Sequence, residues 1–313
     1  MQKSKKGTAR AVPKVNYGKF LTEQSNPRTR SIDRLPVEKI LELITSEDQR
    51  VPQAVAKAKK EIAAGVRIIV ESLQKGGRLF FAGAGTSGRL GVIEAAECPP
   101  TFSTSPALVQ AVMAGGRKAV FRSKEGAEDD AAQALRIFQK KLRSGDVMVG
   151  ITASGVTPFV RGVFQAAKRR GAKTILVTCG NTMPDKKLTD CVIAVKTGPE
   201  VISGSTRLKA GTATKLVLNM LTVTSMIQLG KVYKNWMVDL QPKSKKLEAR
   251  ALRLISHLGS VPEASTRDFL LKARKNVKVA ILMAKKKWDY PTALKTLKKN
   301  SGFLEKALHA DFK

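Results

Sequence analysis

The residues AGAGTSGRLG (82–91) set three glycines, Gly83, Gly85 and Gly88, in G-x-G-x-x-G spacing and add two hydroxyls, Thr86 and Ser87. Glycines there let a backbone approach a phosphate closely, and free N–H groups at a helix start act as donors. A dinucleotide site would also need an acidic residue about 20 positions on, for the ribose. That region reads ALVQAVMAGG and has no acid. The hydroxyls suit a phosphate monoester instead. The plainer alternative is a tight strand-to-helix turn in which Ser87 only caps the helix. TASGVTP (152–158) repeats the design, with Ser154, Gly155 and Thr157 ahead of Pro158 at a helix start. Here too, simple capping by Ser154 and Thr157 is the alternative. Two such loops converging on one crevice suggest a phosphosugar better than either alone.

Two carboxylates stand near these loops in the chain. Glu97 lies in EAAECPPTF (94–102), beside Cys98-Pro99-Pro100, which reads as a rigid turn that would fix its direction. Glu128 lies in KEGAEDD (124–130), an acidic cluster in a basic protein. At a sugar-sized crevice such a pair can divide acid and base roles. A last stretch, GPEVISGSTRLKAGTATK (198–215), holds Glu200, Ser203, Ser205, Thr206, Arg207 and Lys209. It reads equally as a cover over the site, a dimer contact, or a helix cap and lead-in.

These loops need elements to carry them. Apolar residues at helical spacing from Pro36 to Leu73 predict two or three helices, closed by Gly76-Gly77. Short apolar runs at 78–83, 107–114, 146–153, 173–179 and 191–196 predict strands, with helices at about 87–96, 126–143 and 157–170 between them. Alternation of this kind predicts an α/β fold, a doubly wound parallel sheet with helices on both faces. Right-handed crossovers then put the loops that follow the strands along one edge, where ligands bind. A long apolar helix follows at about 208–230. The remainder reads as a small helical subdomain, broken at Gly259–Pro262 and Tyr290-Pro291. The expected divisions are a basic disordered tail (1–18), a polar segment with helices (19–67), the α/β domain (68–231) and the C-terminal helical subdomain (232–313).

Hydrophobic residues at 42% and charged residues at 26% exclude wholesale disorder. Aromatic residues at 5% disfavour a base-stacking platform. Three cysteines exclude a disulfide framework, and neither they nor the two histidines have metal-ligand spacing, so no metal is expected. No apolar run reaches about 18 residues, and the N-terminus lacks an apolar core. The expectation is a cytoplasmic protein with no membrane contact. The 57 Lys and Arg against 25 Asp and Glu, a net charge of +32, are spread along the chain. No nucleic-acid-binding motif accompanies them, so a basic surface with at most non-specific polyanion contact is expected.

Taken together, SNPRTRSIDRL, GAGTSGRLGVIEAAECPPTF, EGAEDD, SGVTP and GSTRLKAGTATKLVLNM resemble, in order and spacing, the bacterial N-acetylmuramic acid 6-phosphate etherases. The likeness runs from about Leu21 to the C-terminus. It implies the sugar isomerase (SIS) fold, a three-layer αβα phosphosugar-binding domain. It also implies cleavage of a D-lactyl ether to give N-acetylglucosamine 6-phosphate and D-lactate, with no cofactor. By this resemblance Glu97 is the acid assisting lactate departure, with its proton affinity raised by burial or nearby negative charge, and Glu128 is the base at C2. Gly85, Thr86, Ser87, Ser154, Gly155 and Thr157 would hold the phosphate. A homodimer is implied, in which the Glu23–Asn26 segment reaches a neighbouring site; Glu200, Ser203 and Lys209 are further candidates. Val156 stands where the family often has Arg. A non-catalytic phosphosugar-sensing regulator on the same fold is the alternative.

Overall fold

The computed structural model describes residues 18, 20–181 and 185–310. Apart from Gly18, the expected basic tail lies outside the described residues. Five strands, β1 (Leu79–Gly83), β2 (Val109–Met113), β3 (Val147–Thr152), β4 (Lys173–Thr178) and β5 (Cys191–Ala194), form one parallel sheet in the order β2-β1-β3-β4-β5. Every residue of β1 and β3 is buried. Strands covered on both faces carry continuous apolar runs rather than alternation, which is why LFFAG and VMVGIT read as they do.

Three helices open the chain: α1 (Val37–Asp48), α2 (Arg50–Lys57) and α3 (Lys59–Gln74). The sheet's connections are α4 (Gly85–Phe102), the single-turn α5 (Lys118–Phe121), α6 (Ala131–Lys141) and α7 (Pro158–Arg169), and α8 (Lys209–Gln228) follows β5. Successive side chains of β1 point to opposite layers. Phe81 joins Val149, Ile175, Ile69 and Leu221 beneath α3, α4 and α8, while Phe80 joins Met148, Phe138, Phe159 and Val163 beneath α6 and α7. Both phenylalanines are fully buried, each worth about 1.5–3 kcal/mol of apolar transfer. The result is a doubly wound αβα sandwich. Asp146, also fully buried, clamps the N-terminal ends of β1 and β3: it accepts from Arg78 N at 3.0 Å, Arg78 Nη2 at 2.6 Å and Arg143 N at 3.0 Å.

Val51, Val55, Ile62 and Val66 of α2 and α3 enter the same core as the sheet, and residue 67 falls inside α3. Five further helices, α9 (Lys245–Gly259), α10 (Glu263–Lys272), α11 (Val277–Lys286), α12 (Tyr290–Lys299) and α13 (Leu304–Leu308), enclose a core of their own around Leu254, Ile255, Leu270, Ile281 and Leu297. The buried Lys278 ammonium fastens this unit to the end of α8. It donates to Gly230 O at 3.1 Å and Gly302 O at 2.9 Å and lies 3.1 Å from Asp239 Oδ2.

Two expectations are corrected. ECPP is not a turn beyond the helix. The helix expected over 87–96 runs on through Pro99 and Pro100 to Phe102. The prolines occupy its last turns, where the amides they lack would serve only the Ala95 and Ala96 carbonyls, and Ser103, in the left-handed region, closes it by donating to Pro99 O at 3.0 Å. The helix expected from 126 begins at Ala131. Asp130 Oδ1 caps it by accepting from Gln133 N at 2.7 Å, and residues 127–129 form a separate short turn.

Candidate active site

The strand order reverses direction between β1 and β3, and the crevice at such a switch point is where open α/β sheets bind ligands. The loop after β1 enters α4 through Ala84 and Gly85, the latter at φ +54°. No side chain caps α4, so Ser87 is not the cap its type suggested, and the first-turn N–H groups face the crevice without one. Helix and strand pack backbone to backbone here. A Cβ on Gly88 would lie 2.6 Å from Gly83 O and 2.8 Å from Met113 Cγ.

After β3 the second loop is held by Thr152. Its Oγ1 lies 2.7 Å from Thr157 Oγ1 and 3.4 Å from Ser154 Oγ, and it accepts from Gly155 N at 3.2 Å. Gly155, at φ +86°, makes the reversal that no side-chain-bearing residue adopts comfortably. Thr157 does not cap α7 through its side chain. Two lobes of about 390 and 600 Å³ make up the crevice, and they share Gly85, Thr86, Glu128, Gly204 and Thr206. Ser87, Ser154, Thr157 and Val156 line the smaller lobe, and Lys124 and Arg207 the larger. Arg89 braces the far wall: from α4 it donates to Ala119 O and Val120 O, both at 2.9 Å.

Residues 22–23 close the near side. Gly204 N donates to Thr22 O at 3.0 Å and Ser203 Oγ to Gln24 O at 3.3 Å, so Glu23 borders this chain's own crevice. Asn26 is turned elsewhere. It is buried, donating to Glu47 Oε2 at 3.0 Å and Pro199 O at 3.4 Å. Glu200 and Lys209 also lie away from the crevice. Glu200 accepts the N–H groups of Lys209 and Ala210, each at 2.9 Å, and so caps α8. The Lys209 ammonium pairs with Glu47. Burial pushes the Glu47 carboxyl up, but Lys209, Asn26 and Arg50 together hold it below the usual range. For Glu200, burial outweighs the two amides and the carboxyl is raised.

The crevice thus gathers Gly85, Thr86, Ser87, Ser154, Thr157, Glu128 and Glu23, with Gly155 shaping the second loop rather than lining the crevice. Glu97 is not among them. It is exposed on α4, where Ile93 is also left 52% exposed; on α8 the apolar side chains of Met220, Val223 and Ile227 are 40–43% exposed. One turn before it, Glu94 accepts from Thr222 Oγ1 and is raised by burial, despite Thr222 and Lys215, with a smaller push from the Glu97 charge. Arg207, named in the sequence reading, lines the crevice, and so do Lys124 and Thr152, which lie in the quoted stretches 124–130 and 152–158 without having been singled out; Thr152 is the last residue of a strand. Among the described residues, no three His, Cys, Asp or Glu side chains could hold a metal ion, and no helix is long and apolar enough to cross a membrane.

Residues 61–168 match the glucokinase regulatory protein N-terminal SIS domain, and residues 131–224 match the SIS domain. The chain is 47% identical over 294 residues to the N-acetylmuramic acid 6-phosphate etherase of Microcystis aeruginosa, covering 94% of this chain and 96% of that one. Against the etherase of Geobacillus thermodenitrificans it is 43% identical over 288 residues, 92% and 98% of the two chains. Likeness of this extent, on a sheet with this strand order, places the chain in the N-acetylmuramic acid 6-phosphate etherase family.

Proposed function

We propose that this enzyme cleaves the D-lactyl ether of N-acetylmuramic acid 6-phosphate, releasing D-lactate and N-acetylglucosamine 6-phosphate as a carbon–oxygen lyase. The observation that carries this reading is the nearly full-length identity to etherases, in a chain whose crevice sets Glu128 beside two hydroxyl-bearing loops. Ring opening exposes a C1 aldehyde that acidifies the C2 proton. Glu128 takes that proton, the C3–O bond breaks, and Glu97 gives a proton to the departing lactate oxygen. Water then adds across the double bond, its hydroxyl to C3 and a proton to C2. The first-turn amides of α4 with Thr86, Ser87, Ser154 and Thr157 hold the 6-phosphate, Gly85 and Gly155 allow its close approach, and Lys124 and Arg207 supply positive charge where Val156 does not.

Glu97 stands twelve residues beyond Gly85 on α4, about 18 Å along the helix axis. Its own crevice is out of reach. We therefore assign it to the crevice of a second copy, in a two-fold homodimer whose interface includes the exposed apolar face of α4 and α8. Glu23 contributes to the crevice wall, whereas Asn26, Glu200, Ser203 and Lys209 act by holding the loops. The C-terminal unit (232–313) is a separate helical subdomain, and a cytoplasmic location suits a phosphorylated substrate. Contact with nucleic acid is non-specific, through the basic surface.

The test is D-lactate release from N-acetylmuramic acid 6-phosphate in D₂O and in ¹⁸O-labelled water. Elimination and hydration place deuterium at C2 and ¹⁸O at C3 of the sugar. Label in the lactate instead would exclude the lyase route. No release, with phosphosugar binding intact, would favour a sensor.

A further inference from the structure

A second cavity, of about 820 Å³, is distinct from the crevice. It lies at the outer edge of the sheet, between β5 and α2, and the 22–29 segment is the wall between the two. Thr22 and Glu23 face the crevice, and Asn26 and Arg28 face the cavity. At its base Glu47, fully buried, receives four donors: the Lys209 ammonium, Asn26 Nδ2 at 3.0 Å, Arg28 Nη1 at 2.9 Å and Arg50 Nη1 at 3.4 Å. One carboxylate cannot neutralise three cations. Lys57 and Lys196 add two more charges at the rim, against the single further carboxylate of Glu61. Positive surplus in a concave, partly desolvated site concentrates anions. Arg28 is engaged through both terminal nitrogens, by Glu47 and by Ser46 Oγ at 2.7 Å, whereas Arg50 gives Glu47 a single N–H at 3.4 Å, and its remaining donors suit a tetrahedral oxyanion. The volume leaves room for an organic body beyond the anionic group.

We propose that this cavity is a second anion site, which takes a small phosphorylated molecule carrying two or more negative charges. Its ligand sits against the segment that also bears Glu23.

The test is calorimetric titration of the full chain with inorganic pyrophosphate at fixed salt. Wild type is expected to bind two equivalents per chain. The crevice double variant Thr86→Val/Ser154→Ala keeps one. Lys57→Glu/Lys196→Glu, both exposed side chains, loses that one by at least tenfold in affinity while D-lactate release without pyrophosphate is unchanged. A matched reversal elsewhere, Lys285→Glu/Lys298→Glu, leaves both equivalents in place. The proposal is overturned if wild type binds a single equivalent that the crevice variant abolishes, or if both charge reversals weaken binding equally, which is the signature of the general basic field. Repeating the titration of the crevice variant with N-acetylglucosamine 6-phosphate identifies the source: binding within tenfold of pyrophosphate assigns a sugar phosphate, and binding of pyrophosphate alone assigns a polyphosphate.

Discussion

Glu128 borders the crevice beside Gly85, whereas Glu97 stands about 18 Å down the helix that Gly85 begins, exposed on its surface. One chain therefore cannot bring the two carboxylates to one sugar. If each crevice borrows Glu97 from a partner, Glu97→Gln and Glu128→Gln each lower D-lactate release by at least about a hundredfold. An equal mixture of the two, unfolded and refolded together, recovers about a quarter of wild-type activity, because half the dimers are mixed and each has one intact site. Absence of recovery, with mixed dimers present by mass spectrometry, would rule out the shared site.

Thr152, itself part of the crevice lining, organises the second loop. Thr152→Val removes the acceptor of Gly155 N and the partner of Thr157 Oγ1. A lost hydrogen bond that orients a ligand-binding loop costs about 1–3 kcal/mol, so KM is expected to rise about tenfold or more with kcat changed far less. Steady-state kinetics decide it; a fall in kcat at constant KM contradicts the positioning role.

Gly88→Ala tests the contact of α4 with the end of β1. The added methyl meets Gly83 O and Met113 Cγ at under 3 Å. Separating the two backbones costs about 1–3 kcal/mol. Urea unfolding is expected to show a lower midpoint at unchanged slope, and a midpoint equal to wild type would show that the close approach is slack.

Asp190 supplies a pH signature. Burial pushes its carboxyl up, but Lys168 and the Thr174 amide and hydroxyl outweigh that and hold it below the usual carboxylate range. The unfolded chain therefore takes up this proton at higher pH than the folded chain does. The stabilisation is complete above the ordinary carboxylate pKa and is lost as pH falls through the depressed value. Asp190→Asn should be less stable than wild type at neutral pH by an amount that shrinks steadily in acid. A gap that widens in acid would reverse the assignment.

The parallel sheet was legible because strands buried on both sides write continuous apolar runs, and 78–83 and 146–153 could be little else. Helix ends were less so. Pro99 and Pro100 predict a stop, yet in the final turns they remove only two amides, and the helix runs to Phe102. Glu47 was illegible, since it occupies a charged stretch of α1 and its partner Lys209 is 162 residues away. Asn26, Glu200 and Lys209 have the polar character of site residues, but burial turns that character to internal pairing. The Thr86, Ser87, Ser154 and Thr157 hydroxyls were visible because each follows a strand end, and topology brings such ends together.

Because α4 carries the Gly85 loop at one end and Glu97 near the other, it acts as a ruler. Adding or deleting one residue between them rotates Glu97 by about 100° about the axis and shifts it by about 1.5 Å, swinging it off the exposed face altogether. No loop intervenes to absorb the change. The interval of twelve residues thus has no neutral neighbours: point substitutions along α4 can accumulate one at a time, whereas a change in its length must arrive as a whole turn or not at all.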